Sequence, residues 1–178
     1  MNELLEKYKN EIIPIMIKHF GYSNIHQVPR VKKIVLSMGI GKNRDLKQNI
    51  ESMEVIAGQK PIITKARKSI AQFSIRVGHE IGAKVTLRGQ MMYNFFNRLL
   101  AALLSWKSFG AIKEKSINIQ KTGSQISIGI PDMTNFSGVK TSGSIRTEGL
   151  NITIVTDCKT KQEMIFLLSM FNIPFRKI

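Results

Sequence analysis

Several short runs in this chain alternate with a period of two, and that pattern constrains the fold more than any other feature. Ile34, Leu36 and Met38 alternate with Lys33, Val35 and Ser37, and Val85 and Leu87 repeat the spacing. Ile117 and Ile119, then Ile126, Ile128 and Ile130, lie on either side of Lys121-Thr122-Gly123, which reads as a hairpin. Leu150, Ile152 and Ile154 alternate with Asn151, Thr153 and Val155. Residues two apart share one face of a strand, so each run offers an apolar face to a core and a second face away from it.

Helical spacing separates these runs. Leu4, Tyr8, Ile12, Met16 and Phe20 recur every four residues, interrupted by Pro14, which predicts a kink or a handover between two helices before a stop at Gly21. Ile50, Met53, Ile56 and Ala57 form a second stripe, with Asp45 placed as N-cap and Gly58 closing it. Met91, Met92, Phe95, Phe96, Leu99, Leu100 and Leu103 predict a helix over residues 90–104; at helical spacing such a cluster is core rather than a ligand cavity. Thr160 and Glu163 match a capping box ahead of Met164, Leu167, Leu168 and Phe171. Helices mixed with antiparallel strands predict an α+β domain, with helices packed on one face of an antiparallel sheet and the other face open for RNA. At 178 residues the chain is long enough for one core, so residues 1–178 are taken as a single domain.

The sheet's cargo is suggested by charge. The formal net charge is +15, a self-repulsion that a polyanionic partner relieves. Residues 58–89 carry Lys60, Lys65, Arg67, Lys68, Arg76, Lys84 and Arg88 against one acid, Glu80. Gly78 and Gly82 are read as brackets of a turn tolerant of positive φ, and Phe73, Ile75 and Val77 as a strand leading into it. The cations are therefore expected on short strands and a mobile loop over residues 74–83, with His79-Glu80 at its tip. Residues 131–149, polar and without periodicity, are expected to be a contact loop ordered by a partner.

Catalytic and cofactor readings fare poorly. His19, His26 and His79 are far apart and match no metal-ligand spacing. His79 and Glu80 are adjacent, which turns their side chains apart rather than together as an acid and base pair. The GIGK stretch ending at Lys42 fails as a nucleotide-phosphate loop, having Leu36 where a glycine is required and Asn43 where a hydroxyl is. No run approaches the roughly 20 apolar residues of a spanning helix, and the lone Cys158 reads as a small apolar residue near a strand end. No cofactor, metal or membrane is called for. A string of ammonium and guanidinium groups, by contrast, binds phosphates by releasing counterions and needs no catalytic group.

The stretches QVPRVKKIVLSMGIGK, GQKPIITKARKSIAQFSIRVGHEIGAKVTLRG, EGLNITIVTDCKT and the ending NIPFRK resemble the bacterial-type large-subunit ribosomal protein five family, whose members bind 5S rRNA. The similarity runs in register over nearly the whole chain. It implies a non-catalytic constituent of the central protuberance that anchors 5S rRNA to large-subunit rRNA, reaches P-site tRNA with a loop, and touches neighbouring proteins, including one of the small-subunit head. Carried over by position, it implies an rRNA surface of Ser37, Gln59 and Thr86, assisted by Lys60, Lys65, Arg67, Lys68 and Arg88, and a tRNA-proximal loop with Arg76, Gly78 and His79. Most relatives carry Asn at the position of Ser37, which keeps a donor and an acceptor with less reach.

Residues 105–137 depart from the family, lacking its PRIRDFRGL and FDGRGNY motifs and so the donors of the small-subunit bridge. That drift, with heavy use of Ile, Lys and Asn, points to an organellar ribosome in the mitochondrial matrix, with the bacterial cytoplasm as the alternative. The acidic, arginine-free start at residues 1–11 is unlike a transit peptide, so an organellar protein would be made in place or be already processed. A stand-alone RNA-binding regulator acting off the ribosome shares the charge and stays open as the second reading; an enzyme ranks third.

Overall fold

The computed structural model describes residues 3–39, 46–105, 117–119, 124–131, 133, 136 and 149–173. The alternating runs become six strands: β1 (Val31–Gly39), β2 (Ile62–Lys65), β3 (Glu80–Leu87), β4 (Ile117–Ile119), β5 (Gln125–Ile130) and β6 (Leu150–Thr156). They form one antiparallel sheet in the order β2-β3-β1-β6-β5-β4. The fold is α+β. Ile34, Leu36, Val85, Leu87, Ile126, Ile128, Ile152 and Ile154 all point to one covered face and are almost wholly buried.

Helices α1 (Glu3–Lys7) and α2 (Ile13–Phe20) are joined by a π-helical turn, Tyr8–Ile12. A repeat of four is longer than the 3.6 residues of an α turn, and the wider π turn absorbs the excess. Leu4, Tyr8, Ile12 and Met16 therefore stay on one buried face. At Pro14 the outcome is a handover: the proline sits in the first turn of α2, where a missing N–H costs least. The Tyr8 hydroxyl donates to the Pro29 carbonyl oxygen at 3.2 Å, tying this helix to the extended segment that feeds β1.

The remaining helices are α3 (Leu46–Ala57), α4 (Gly89–Ser105) and α5 (Lys161–Met170). In α4, Phe95, Phe96 and Leu99 are fully buried, as their spacing predicts. Phe96 meets Phe171 edge-on at 5.3 Å, and Phe171 stacks on Tyr8 at 6.2 Å, so the two ends of the chain lock against α4. The capping box of α5 forms as predicted, with Thr160 accepting from the Glu163 N–H and Glu163 accepting from the Thr160 N–H. The expected Asp45 cap, the hairpin turn at residues 121–123 and most of residues 131–149 lie outside the described residues. Two members of that last stretch, Met133 and Phe136, are buried in the chain's own core, with Phe136 stacked on Phe95 at 6.2 Å. At these two positions the segment is held by the chain's own core.

Candidate nucleic-acid interface

The second face of the sheet can be laid out from the strand register. Ile62, Lys84, Ser37, Asn151 and Gly129 lie abreast on β2, β3, β1, β6 and β5. The next row holds Thr86, Val35, Thr153 and Ser127. Ser37 and Thr86 are thus brought onto one surface, on neighbouring strands and adjacent rows, half-exposed, with Lys84 opposite Ser37. Thr153 and Ser127 share a hydroxyl hydrogen bond of 3.1 Å. Asn151, Thr153 and Ser127 were not among the residues the sequence singled out. Their outward parity was legible, but nothing local places β6 beside β1.

Gln59 and Lys60 occupy the exposed connection from α3 to β2. Their support comes from α4: Arg98 Nη1 donates to the Val55 and Ile56 carbonyl oxygens at 3.1 and 3.3 Å. These are among the last carbonyls of α3, which a guanidinium satisfies both as donor and as a positive charge at the helix's negative end. Arg88 follows β3, exposed, at the start of α4.

Residues 66–79 form a narrow arm closed by backbone hydrogen bonds. Near its base, the Ala66 N–H donates to the His79 carbonyl at 2.8 Å and the Gly78 N–H to the Ala66 carbonyl at 3.0 Å. Further out, Ile70 and Ile75 exchange bonds of 2.9 and 3.1 Å. The tip is a 3-10 turn, Ala71–Phe73, reversed by Ser74 at φ 52°. Lys65 ends β2; Arg67 and Lys68 run along the outgoing limb, and Arg76 returns with its N–H directed to His79 Nδ1 at 3.4 Å. All of these side chains are exposed.

Three expectations from the sequence are overturned by this geometry. Phe73, Ile75 and Val77 are not a strand: the left-handed Ser74 turns the chain between them, and Phe73 and Val77 stand 62% and 64% exposed. Period two marks a buried face only where a sheet neighbour covers it. His79-Glu80 is at the base of the arm rather than its tip, and residues 80–83 belong to β3, where Glu80 is the cross-strand partner of Lys65. Gly78, at φ 87°, does use glycine's conformational freedom, but Gly82 does not; it is a β3 residue packed so closely on β1 that a Cβ there would collide with the Met38 carbonyl oxygen. Glycine serves at Gly82 for proximity rather than for the turn.

Among the described residues, ion pairs form at Asp157 alone, with Lys32 and with Arg30 at 3.9 Å. The cations of the arm have no such partner among the described residues, an arrangement whose mutual repulsion a bound anion would relieve. No group of His, Cys, Asp and Glu among the described residues could hold a metal ion, and no described helix is long and apolar enough to cross a membrane. The arrangement suits a phosphate backbone along the β2 and β3 edge, with hydroxyls and amides on the sheet facing sugars and bases.

Family models agree with this layout. Residues 24–76 match the model described as ribosomal protein L5, and residues 80–175 match that of the ribosomal L5P family C-terminus. The large ribosomal subunit protein uL5 of Thermosipho africanus is 43% identical over 179 residues, covering 98% of this chain and 97% of that protein. Its counterparts in Lactobacillus johnsonii and Thermotoga maritima are 41% and 42% identical, with 99% and 98% of this chain covered and 99% and 96% of theirs.

Proposed function

The chain belongs to the ribosomal protein L5 family, as a structural, non-enzymatic component of the large ribosomal subunit, and from that premise we propose that it anchors 5S rRNA in the central protuberance. The observation that carries the reading is the union of two surfaces on one sheet. Ser37, Lys84 and Thr86 lie together on the open face, and β2 and β3, on the same side of the sheet, carry the basic arm. Gln59 and Lys60 extend the surface from the end of α3, and Lys65, Arg67, Lys68 and Arg88 supply phosphate contacts. Arg76, Gly78 and His79, on the returning limb, serve the approach to P-site tRNA, with exposed Phe73 offering a stacking surface near the tip. Contact with a small-subunit head protein is kept as an expected partner interaction, made without the family's arginine donors, which residues 105–137 lack. The ribosome is placed in the mitochondrial matrix, with the bacterial cytoplasm as alternative; relatives of bacterial type suit both, and cell fractionation decides between them.

The test is binding of the purified chain to 5S rRNA and to an unrelated structured RNA of equal length over a salt series. Selective binding at physiological salt is expected, with Lys65, Arg67 and Lys68 to Ala lowering the log-log salt slope by about 0.7–0.9 for each phosphate no longer neutralised. Equal binding to both RNAs, or a protein found off large subunits in a sucrose gradient, would overturn the reading.

A further inference from the structure

The sheet ends at β2. This strand pairs with β3 on one side, and no other described strand lies along its second side, so the backbone N–H and C=O groups there face outward. Its side chains are unusual for an outer strand. Ile62, opposite Lys84 on the open face, is 66% exposed, and Ile63, opposite Ala83 on the helix side, is 36% exposed. Ile81, two places along β3 from Ala83, is exposed as well. Isoleucines gathered at one edge are the kind of apolar surface that marks an interaction site.

Three kinds of occupant could cover such an edge, and the charges around it separate them. Lys60 precedes β2, Lys65 ends it and Lys84 stands one strand further in, all exposed, with Glu80 as the one acid of residues 58–89. A second copy of this chain, pairing edge to edge, would bring its own Lys60 and Lys65 against these, a repulsion of the kind that protects the edges of natural sheets. A phosphate backbone satisfies the lysines, but it presents no N–H and C=O groups at strand spacing and leaves the isoleucines uncovered. An extended acidic peptide meets all three demands. Its main chain completes the ladder, its carboxylates face the lysines, and its alternate side chains lie on the isoleucines.

We propose that the free edge of β2 takes up an extended, acidic segment of a partner protein as a further strand. Every second residue of that segment is acidic and faces the open side, toward Lys65 and Lys84; those between are apolar and face Ile63. Strand addition takes its affinity from main-chain bonds and its specificity from the alternating side chains. With β2 only four residues long, few such bonds form and the complex is readily reversed. The inference does not depend on which RNA the chain binds. Lys60 and Lys65 also serve the phosphate contacts proposed above, so the added strand and RNA occupy this edge by turns, and the partner covers it while RNA is absent.

The experiment uses the full chain, isotopically labelled for NMR, and a short synthetic peptide alternating Glu and Val. The same peptide methylated at every backbone nitrogen keeps the charge and side chains but has no N–H to donate, and a peptide alternating Lys and Val reverses the charge. The Glu and Val peptide is expected to bind with cross-strand contacts to the amides of residues 62–64, and both controls to bind at least about tenfold more weakly. Ile62→Thr with Ile63→Thr keeps β-branched residues at exposed positions and should weaken binding about tenfold at an unchanged Tm. Equal binding of the peptide and its methylated analogue, or contacts elsewhere on the chain, would overturn the added strand. So would protection of residues 62–64 by 5S rRNA with no binding of the peptide, which would assign the edge to RNA. A chain that adds the strand but does not select 5S rRNA would keep this inference and overturn the anchoring reading.

Discussion

Replacing Gly82 by alanine adds one methyl group to a protein of 178 residues, and the structure makes that methyl expensive. The added Cβ is driven into the Met38 carbonyl oxygen and lies 3.0 Å from Thr64 Oγ1. The threonine can rotate away, but the carbonyl belongs to the backbone of β1 between its two neighbours, β3 and β6, and moves only if the strands separate. Overpacking of this kind costs about 1–3 kcal/mol. With an unfolding entropy of about 2.1 cal/mol/K for each residue, the chain loses about 0.37 kcal/mol of stability per degree near its midpoint, so a cost of about 2 kcal/mol lowers Tm by about 5 °C. The control is Gly39→Ala, at the cross-strand partner of Gly82, where the new Cβ has open space. It should melt within about 2 °C of wild type or slightly above it, since alanine reduces the freedom of the unfolded chain. Thr64→Ala in the Gly82→Ala background should recover only a small part of the loss. Thermal unfolding followed by circular dichroism, with urea titration alongside, reads all four proteins. Equal losses at positions 39 and 82, or full rescue by Thr64→Ala, would refute the claim that backbone proximity is what requires glycine.

Arg76→Ala with His79→Ala should leave 5S rRNA affinity within about twofold while weakening P-site tRNA binding by large subunits; a fall in 5S affinity equal to that of the Lys65, Arg67 and Lys68 variant would abolish the division of the arm. Thr160→Ala removes the side-chain half of the α5 capping box and should cost about 1 kcal/mol, or about 3 °C in Tm. Burial pushes the Cys158 thiol up to about 11, from an ordinary value of 9.0, so the folded chain should resist alkylation at pH 8 and label when unfolded in urea. Because the folded value is the raised one, the stability linked to this proton is whole below about pH 9 and is lost as pH rises towards about 11; Cys158→Ala should lack that alkaline loss, and identical melting profiles for the two proteins would count against it.

Local periodicity made most elements legible. The stripe of α4, the capping box of α5 and the alternation of β1, β5 and β6 all report burial within a few residues of sequence, and each element formed as read. The errors fall where one local signal has two physical causes. The alternation of Phe73, Ile75 and Val77 looks like that of a core strand, yet the left-handed turn at Ser74 leaves Phe73 and Val77 in solvent. Gly78 and Gly82 look like two turn residues, but one answers a demand on φ and the other a demand on distance. The four-residue stripe at the N-terminus leaves either a kink or a handover open at Pro14, and the chain takes the handover, keeping its phase with a π turn just before the proline.

The amino-acid sequence by itself determined the class of the fold and the gathering of basic residues in one stretch, because charge and periodicity are properties of short segments. The family resemblance proposed Ser37, Gln59 and Thr86 in the same way, one stretch at a time. Which strands lie side by side was decided only by the tertiary structure. Setting β6 between β1 and β5 brings Asn151 opposite Ser37 and Gly129 beside Asn151, joining three stretches of chain more than 90 residues apart at their extremes on one face of the sheet. No local signal encodes that meeting, since strand order follows from how the helices and the sheet bury their shared apolar face, a property of the whole core.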